Sequence, residues 1–348
     1  MSWVAIANPL FIFNSNMKNF IITIIFFLGI PILIALSIYL WTDPFRCLHT
    51  FDINNTDATN REYLSTELYL HNKDSIHYDS FIFASSRGGG LNTYQWKQYL
   101  GEDAQPFLFQ AWSETLTGEF LKLKFLDENG VQIKNAILMF DIPGTFKSEQ
   151  LSHKALDMKH YIFTSGNRFM YNAFQFVNFL QKPSSWIKSI QKRDIKAPYC
   201  ADKITNDWDI KNRYDYRLLP LQDSLKSCTT TTRNSLYARI KGKTIEDVTV
   251  SSPLIDKKMM TLLMNIKSIL DRHQTNYAIV ISPAICYTNP SINPDDLMTL
   301  KQIFGDNRIY NYSGINNLTI DVNNFSDPGH FGRRVGFLII KDVGESNL

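Results

Sequence analysis

The chain has 348 residues, of which 44% are hydrophobic and 20% are charged, and its formal net charge is +3. This composition is ordinary for a globular protein. The sequence contains no long block of like charges, which argues against nucleic acid as a partner. The cysteines and histidines do not cluster, so the sequence predicts neither a metal site nor a cofactor.

An uncharged apolar segment occupies residues 20–41 near the N-terminus. As a helix, these 22 residues would extend roughly 33 Å, which is enough to cross a hydrocarbon core of about 30 Å. Tyr39 and Trp41 fit an aromatic belt at the membrane surface. The run is longer than the apolar region of a usual signal peptide, and no Ala-x-Ala-like site follows it. The segment is therefore predicted to be an uncleaved transmembrane anchor rather than a cleaved signal peptide or a buried core helix.

One positive charge indicates the orientation of this anchor. Lys18 precedes the span and favours a cytoplasmic N-terminal segment, residues 1–19. The sequence thus predicts a single-pass protein of the cell membrane whose large C-terminal part is extracytoplasmic, in the periplasm or at the cell surface. Met17 also has the context of a natural start, so Met1 and Met17 both stay open as the first residue.

Strands and helices alternate after a polar stalk and lead-in at residues 42–78, in which residues 66–70 fit either a short strand or a short helix. Predicted strands lie at 80–84, 106–111, 136–140, 277–282 and 308–312, and predicted helices at 91–100, 116–126, 253–273, 294–304 and 333–343. This alternation over residues 79–348 predicts an α/β domain with a parallel, doubly wound sheet.

Residues 146–250 interrupt this alternation. They contain a helical piece at 171–180 and a stretch with little periodicity at 183–233. We therefore predict an insertion or cap that shapes the substrate cleft. In an oxidising compartment Cys200 and Cys228 would be able to pair within this region, and two unpaired cysteines are the open alternative.

The stretch 79–90 carries the clearest sign of chemistry. A short apolar strand ends there in Ser85 and Ser86, and three glycines follow. At the carboxyl end of a strand in an α/β sheet, turn residues face the crevice in which ligands bind, and glycines permit positive φ and the close approach of a ligand. A serine becomes a nucleophile when a base removes its proton. The loop 327–330 offers that base in His330, and we predict that the two segments meet.

The motifs Ala84-Ser85-Ser86-Arg87 and Asp327-x-x-His330, near the two ends of the domain, resemble those of the SGNH/GDSL hydrolase superfamily. The resemblance covers residues 78–145 and 250–343. It is strongest to the membrane-anchored bacterial acyltransferase-type branch, which includes the D protein of teichoic acid D-alanylation and the alginate O-acetylation proteins. The resemblance implies an SGNH-like three-layer α/β/α domain with a parallel sheet, preceded by one N-terminal transmembrane helix.

The same resemblance assigns catalytic roles to three residues. Ser86 matches the nucleophile, His330 the general base, and Asp327 the residue that orients the base. This chemistry requires an imidazole that accepts the serine proton and a carboxylate that holds the imidazole tautomer.

Further candidates for the oxyanion hole or for substrate binding are Ser113, Arg87 and Asp141. Ser113 follows the second strand, where the family places a glycine-block donor, although that glycine is not evident here. The family's third block supplies an asparagine, whereas this chain has Asp141, which cannot donate a hydrogen bond while ionised. Either Asp141 plays another part, such as binding Arg87, or the oxyanion hole uses only backbone N–H groups, that of Ser86 first. Arg87 is either structural or a ligand for a carboxylate or phosphate.

The function implied by this resemblance is serine acyl transfer, in which an acyl-serine intermediate O-acylates a cell-envelope or exported polysaccharide. Such relatives work beside a multi-pass membrane O-acyltransferase, so that protein, the polysaccharide acceptor and the membrane are the expected partners. Two alternatives stay open. One is an SGNH esterase or deacetylase that acts on acylated glycans, and the other is a non-catalytic SGNH-like protein that binds polysaccharide or an assembly partner.

Overall fold

A parallel sheet of five strands lies at the centre of the protein in its computed structural model. The structure describes residues 15–49, 51–53, 59–147, 154, 156–164, 166–192, 199–210 and 238–346. Its strands are β1 (Ser80–Ala84), β2 (Pro106–Gln110), β3 (Asn135–Phe140), β4 (Tyr199–Ala201), β5 (Trp208–Ile210), β6 (Asn276–Ile281) and β7 (Ile309–Asn311). The sheet order is β2-β1-β3-β6-β7, and every neighbouring pair is parallel. The prediction of an α/β domain with a parallel sheet is therefore confirmed.

Helices cover both faces of this sheet. They are α1 (Ser15–Thr42), α2 (Arg61–Ile76), α3 (Thr93–Leu100), α4 (Leu116–Glu128), α5 (Tyr161–Thr164), α6 (Arg168–Leu180), α7 (Pro183–Lys192), α8 (Lys257–Arg272), α9 (Pro294–Phe304) and α10 (Arg333–Ser346). Alternate residues of β1 enter different cores, since Phe81 and Phe83 pack with α2, α4 and α8, whereas Ile82 packs with α3 and α10. Helices on both faces bury β1 and β2 completely and β3 and β6 except for their first residues, which explains the continuous apolar runs of these four strands.

Helix α1 is long and apolar enough over Met17–Thr42 to span a membrane. Most of its side chains are exposed in the isolated protein, and Phe27 is 79% exposed. Only the C-terminal turns are covered by the protein, where Ala35 and Tyr39 are buried. This distribution is the reverse of a soluble core helix, whose apolar side chains pack inside the domain.

The segment predicted as a stalk contains helix α2, which lies in the core of the domain. Leu68 and Tyr69 are fully or almost fully buried against the sheet. The N-terminal end of α2 also joins the anchor to the sheet, because Asn60 Nδ2 donates to Phe45 O (3.2 Å) and Arg61 Nε donates to Gln110 Oε1 (3.0 Å). Helix α1 thus meets the domain at the carboxyl end of the strands.

The described parts of the predicted insertion pack in two places. Strands β4 and β5 form an antiparallel ribbon whose turn covers the free edge of β2, where Leu108 N donates to Thr205 O (2.9 Å) and Asn206 Nδ2 donates to Leu108 O (2.6 Å). Helices α6 and α7 pack against α1. The predicted pairing of Cys200 with Cys228 falls outside the described residues, as do residues 1–14 of the predicted cytoplasmic segment.

Candidate active site

The turn after β1 presents Ser86 at the carboxyl end of the sheet. Residues 86–90 form a single turn of 3₁₀ helix, and Ser85 caps its start. Ser85 Oγ accepts a hydrogen bond from Arg87 N (3.1 Å), and Ser85 O accepts one from Gly88 N (3.0 Å). Because the turn is closed in this way, the half-buried Ser86 side chain has a fixed direction.

The glycines of this turn serve packing rather than an unusual backbone conformation. None of Gly88, Gly89 and Gly90 uses the positive φ that glycine permits. A Cβ atom on Gly88 would lie 2.3 Å from Ala84 Cβ, and one on Gly90 would lie 2.7 Å from the Phe331 ring. What approaches these glycines closely is therefore the protein's own core and the start of α10.

Ser86, His330 and Asp327 form a continuous hydrogen-bonded chain. Ser86 Oγ lies 2.8 Å from His330 Nε2, and His330 Nδ1 lies 2.8 Å from Asp327 Oδ2 and 2.9 Å from Asp327 Oδ1. The serine and the histidine are separated by 244 positions in the chain, so the fold alone brings them together. The two segments that the sequence analysis singled out do meet.

The hydrogen bonds assign the proton positions of this chain. Asp327 Oδ1 also accepts from the backbone N–H groups of Gly329 (2.9 Å) and His330 (3.1 Å). Burial of Asp327 raises its pKa, but the bonds from His330 and from the two N–H groups outweigh burial and hold the pKa below its ordinary value. An ionised Asp327 requires the proton of neutral His330 on Nδ1, which leaves Nε2 free to accept the proton of Ser86.

A donor for a developing oxyanion is available at the same turn. The N–H groups of Arg87 and Gly88 are used within the turn, whereas among the described residues none accepts a hydrogen bond from the N–H of Ser86. Ser113 is exposed in the loop after β2 and has a φ of 47°, a left-handed conformation that glycine adopts most easily. Its side chain makes no hydrogen bond to Ser86 or His330 in the described structure.

Asp141 and Arg87 bind each other instead of facing an open cleft. Asp141 is only 5% exposed at the end of β3, where its carboxylate accepts hydrogen bonds from the hydroxyl groups of Ser85 and Ser282, the latter at 2.7 Å. Arg87 Nε lies 3.7 Å from Asp141 Oδ2, and Arg87 Nη1 donates to Ser282 Oγ (3.2 Å). The guanidinium group also lies beside Gly329 of the histidine loop. This pair joins the ends of β1, β3 and β6 to that loop.

A second group of polar side chains, which sequence reasoning missed, supports the turn from β2. Gln110 is fully buried, and its Nε2 donates to Ser85 O (2.9 Å). Its Oε1 accepts from Arg61 Nε (3.0 Å) and from Trp208 Nε1. The available signal was a single polar residue at the end of an otherwise apolar strand, which marks the position but does not identify its partners.

The arrangement can be reached from solvent. The side chains of His330 and Asp327 are 40% and 44% exposed. Strand β2 lies on one side of β1 and strand β3 on the other, so the strand order reverses at β1. In open α/β sheets, ligands bind at such a switch point, outside the carboxyl ends of the strands. Chemically, a polarised serine with a neighbouring N–H donor is equipped for attack on an acyl carbonyl group.

Comparison with known proteins adds no assignment to this geometry. No protein-family model matches the chain, and no curated protein matches it. The functional conclusion must therefore be drawn from the site and from the membrane-length helix.

Proposed function

We propose that this protein is a membrane-anchored serine acyltransferase with an extracytoplasmic SGNH-like domain. The observation that carries the proposal is the hydrogen-bonded chain Ser86–His330–Asp327 at the carboxyl end of the parallel sheet. Its acceptor would be a hydroxyl group of a cell-envelope or exported polysaccharide. The His330 side chain is exposed, so an acceptor can approach it from solvent.

The proposed reaction has two halves. Ser86 Oγ attacks the carbonyl carbon of an acyl donor while His330 Nε2 takes the serine proton, and the N–H of Ser86 stabilises the oxyanion. The leaving group of the donor departs with the proton from His330, which leaves an ester on Ser86. An acceptor hydroxyl then loses its proton to His330, attacks this ester, and carries the acyl group away as Ser86 recovers the proton.

Asp327 and Asp141 have different parts in this scheme. Asp327 stays ionised and holds the proton of His330 on Nδ1, which stabilises the imidazolium that forms in each half-reaction. Asp141 positions the turn through Ser85 and pairs with Arg87. The oxyanion donors are therefore backbone N–H groups, with Ser113 as the candidate for the second donor.

Helix α1 favours transfer over free hydrolysis. A protein held at a membrane can receive acyl groups from a membrane-embedded donor, and the resemblance to the acyltransferase-type branch suggests a multi-pass O-acyltransferase as that donor. The position of α1 supports this idea, because α1 joins the domain at the same end of the sheet as Ser86.

Labelling with a fluorophosphonate probe tests for an activated serine. The full chain, purified in detergent, should be labelled covalently, and Ser86→Ala and His330→Ala should abolish the labelling. Two variants serve as matched controls: Ser75→Ala removes an exposed serine, and His273→Ala removes a histidine that pairs with Asp127 (2.9 Å) and has no hydrogen bond to a serine among the described residues. No labelling of a folded wild-type chain would reject the proposal.

The fate of the acyl group distinguishes transfer from hydrolysis. With a chromogenic acyl ester and an oligosaccharide acceptor, a transferase forms the acylated saccharide. Release of the free acid alone, at a rate that the acceptor does not change, would make the protein an esterase or deacetylase.

A further inference from the structure

Helices α6 and α7 are fixed beside the last turns of α1. The ring of Tyr39 lies 5.3 Å from that of Phe176 and 5.4 Å from that of Phe179. Trp186 of α7 stacks on Phe179 at 6.0 Å, and its Nε1 donates to Phe179 O (2.9 Å). Ala35, one helical turn before Tyr39 on α1, is completely buried. The two helices therefore keep a defined position relative to the membrane-length helix.

The side of this helix pair that faces away from the protein carries exposed apolar residues, which on α7 alternate with the exposed polar residues Lys188 and Gln191, and we call the apolar set the outer face. Its exposed fractions are Phe169 78%, Met170 44%, Phe174 44%, Val177 47%, Ile187 63% and Ile190 42%. Met170, Phe174 and Val177 follow one another at helical spacing, so they form one stripe of α6. The exposed residues of α6 are all apolar, whereas a helix on a water-exposed surface would carry polar residues there, so this stripe marks an interaction surface.

The position of the pair along α1 identifies what meets this face. Ala35 lies seven residues before Thr42, the last residue of α1, which corresponds to about 10 Å along a helix axis. Interfacial helices bury their apolar side about 5–10 Å into the boundary between headgroups and acyl chains. Lys182 and Lys188 are exposed on the same pair, where anionic headgroups would attract them.

We propose that the outer face of the α6–α7 pair is seated in the lipid bilayer, at the boundary between headgroups and acyl chains. The inference rests on the membrane insertion of α1 proposed above and is independent of the catalytic role of Ser86. It gives the domain two attachments to one membrane surface, a spanning helix and an interfacial helix pair. Because α1 joins the carboxyl end of the sheet, two attachments hold the serine turn toward the bilayer and prevent free rotation about a single anchor.

Quenching by brominated lipids measures the depth of this face. The full chain is reconstituted into vesicles of phosphatidylcholine and phosphatidylglycerol whose acyl chains carry bromine. An environment-sensitive fluorophore is attached to Phe174→Cys on α6 or to Ile187→Cys on α7, and the signal of the labelled wild-type chain is subtracted. Phe26→Cys, within α1, is the reference for insertion, and Met264→Cys on α8 is the matched control, since Met264 is 52% exposed outside the pair.

We expect the fluorophores at positions 26, 174 and 187 to be quenched several-fold more than the one at position 264. Quenching at position 26 with values at 174 and 187 equal to that at 264 would overturn the bilayer proposal and leave the face to a membrane-protein partner, since the vesicles contain no other protein. No quenching at position 26 would overturn the insertion of α1 and this inference together. Fluorophosphonate labelling is the independent readout of the catalytic proposal, and its failure would leave the quenching pattern unchanged.

Discussion

Two groups of polar and charged side chains near the carboxyl end of the sheet both contain carboxylates, but these carboxylates serve different purposes. The candidate triad, Ser86–His330–Asp327, is half-exposed. Its side chains form a linear series in which Ser86 pairs with His330 and His330 pairs with Asp327. Its last atom, Ser86 Oγ, borders solvent, so a substrate can reach it. Proton transfer is available there because Ser86 Oγ is the one hydrogen-bond partner of His330 Nε2 among the described residues.

The second group, which we call the ionic cluster, consists of Glu62, Glu114, Lys122 and Lys159, all at most 4% exposed. Lys122 Nζ lies 3.0 Å from Glu62 and 2.5 Å from Glu114, and Lys159 contacts the same two carboxylates. Burial raises the pKa of Glu62, but the two lysines outweigh it and lower that pKa to about 2. Saturated charges of this kind can hold α2, α4 and the insertion together but cannot exchange protons with a substrate.

The largest effect is expected when the triad loses its nucleophile. Ser86→Ala should lower the rate of acyl-ester turnover by about 10⁴-fold or more, because the remaining groups have no atom that can carry the acyl group. The free energy of unfolding should change by about 0.5 kcal/mol or less, since the side chain is half-exposed. Initial rates with a chromogenic ester and thermal unfolding in detergent measure both quantities. A variant that retains turnover would place the nucleophile elsewhere.

The reverse pattern is expected for the ionic cluster. Lys122→Met should destabilise the fold by about 3–5 kcal/mol, because it leaves Glu62 and Glu114 buried with one cation fewer. Lys124→Met is the control, since Lys124 is 48% exposed and its pair with Glu128 contributes at most about 1 kcal/mol. Thermal unfolding in detergent measures both. Equal melting temperatures of the two lysine variants would contradict the structural role of the cluster.

A buried carboxyl beside the cluster should make stability depend on pH. Glu119 is completely buried, and both of its carboxyl oxygens lack a hydrogen-bond partner among the described residues. Burial, reinforced by the charges of Glu114 and Asp141, raises its pKa well above the ordinary 4.5. The folded state therefore retains a proton that the unfolded state loses, so this carboxyl lowers stability as the pH rises from about 4.5 toward its folded pKa.

Replacing that carboxyl isolates its contribution. The stability of Glu119→Gln relative to wild type should increase with pH by up to about 1.4 kcal/mol for each pH unit in this range. Denaturant unfolding of both chains between about pH 4 and pH 7 measures the slope, whatever the constant offset between them. A difference that does not vary with pH would show that the pKa of Glu119 is the same in the folded and unfolded states.

The sheet and the triad could be predicted from the sequence because their signals are local. The strand at 136–140 is a continuous apolar run, and the two candidate catalytic motifs are short segments with distinctive residue types. The fold then needs only to bring the two motifs to the carboxyl end of the sheet, where the loops after parallel strands meet. Any oxyanion donor other than Ser86 stays a prediction, because Ser113 makes no hydrogen bond to Ser86 or His330 in the described structure.

Helix α2 and the supports of the serine turn could not be predicted, because their partners lie far away in the chain. From the neighbouring sequence alone, Arg61 and Glu62 would be placed on the solvent-exposed surface, yet both are fully buried. Arg61 is compensated by Gln110, 49 positions later, and Glu62 by lysines in α4 and before α5. Apolar periodicity does not reveal such distant partners, so the sequence predicts a polar stalk and lead-in at residues 42–78, with at most a short strand or helix at 66–70.

The smallest effect is expected at Asp141. This residue is buried like the ionic cluster, yet it contacts the serine turn. Asp141→Asn keeps the shape but removes the charge that pairs with Arg87 and one acceptor for Ser85 or Ser282. We expect turnover to fall by about 10- to 100-fold through misplacement of Ser86. Asp127→Asn, which alters the pair with His273, is the matched control.

The comparison of the two aspartate variants decides whether Asp141 positions the serine or merely stabilises the fold. If Asp141→Asn lowers the rate of fluorophosphonate labelling while its melting temperature equals that of Asp127→Asn, the carboxylate acts through the geometry of the turn. A loss of labelling that only follows a lower melting temperature would assign Asp141 to the structural group together with Glu62. In that case Ser85, which contacts Asp141, would belong to the structural part of the turn, and Ser86 alone to the reactive part.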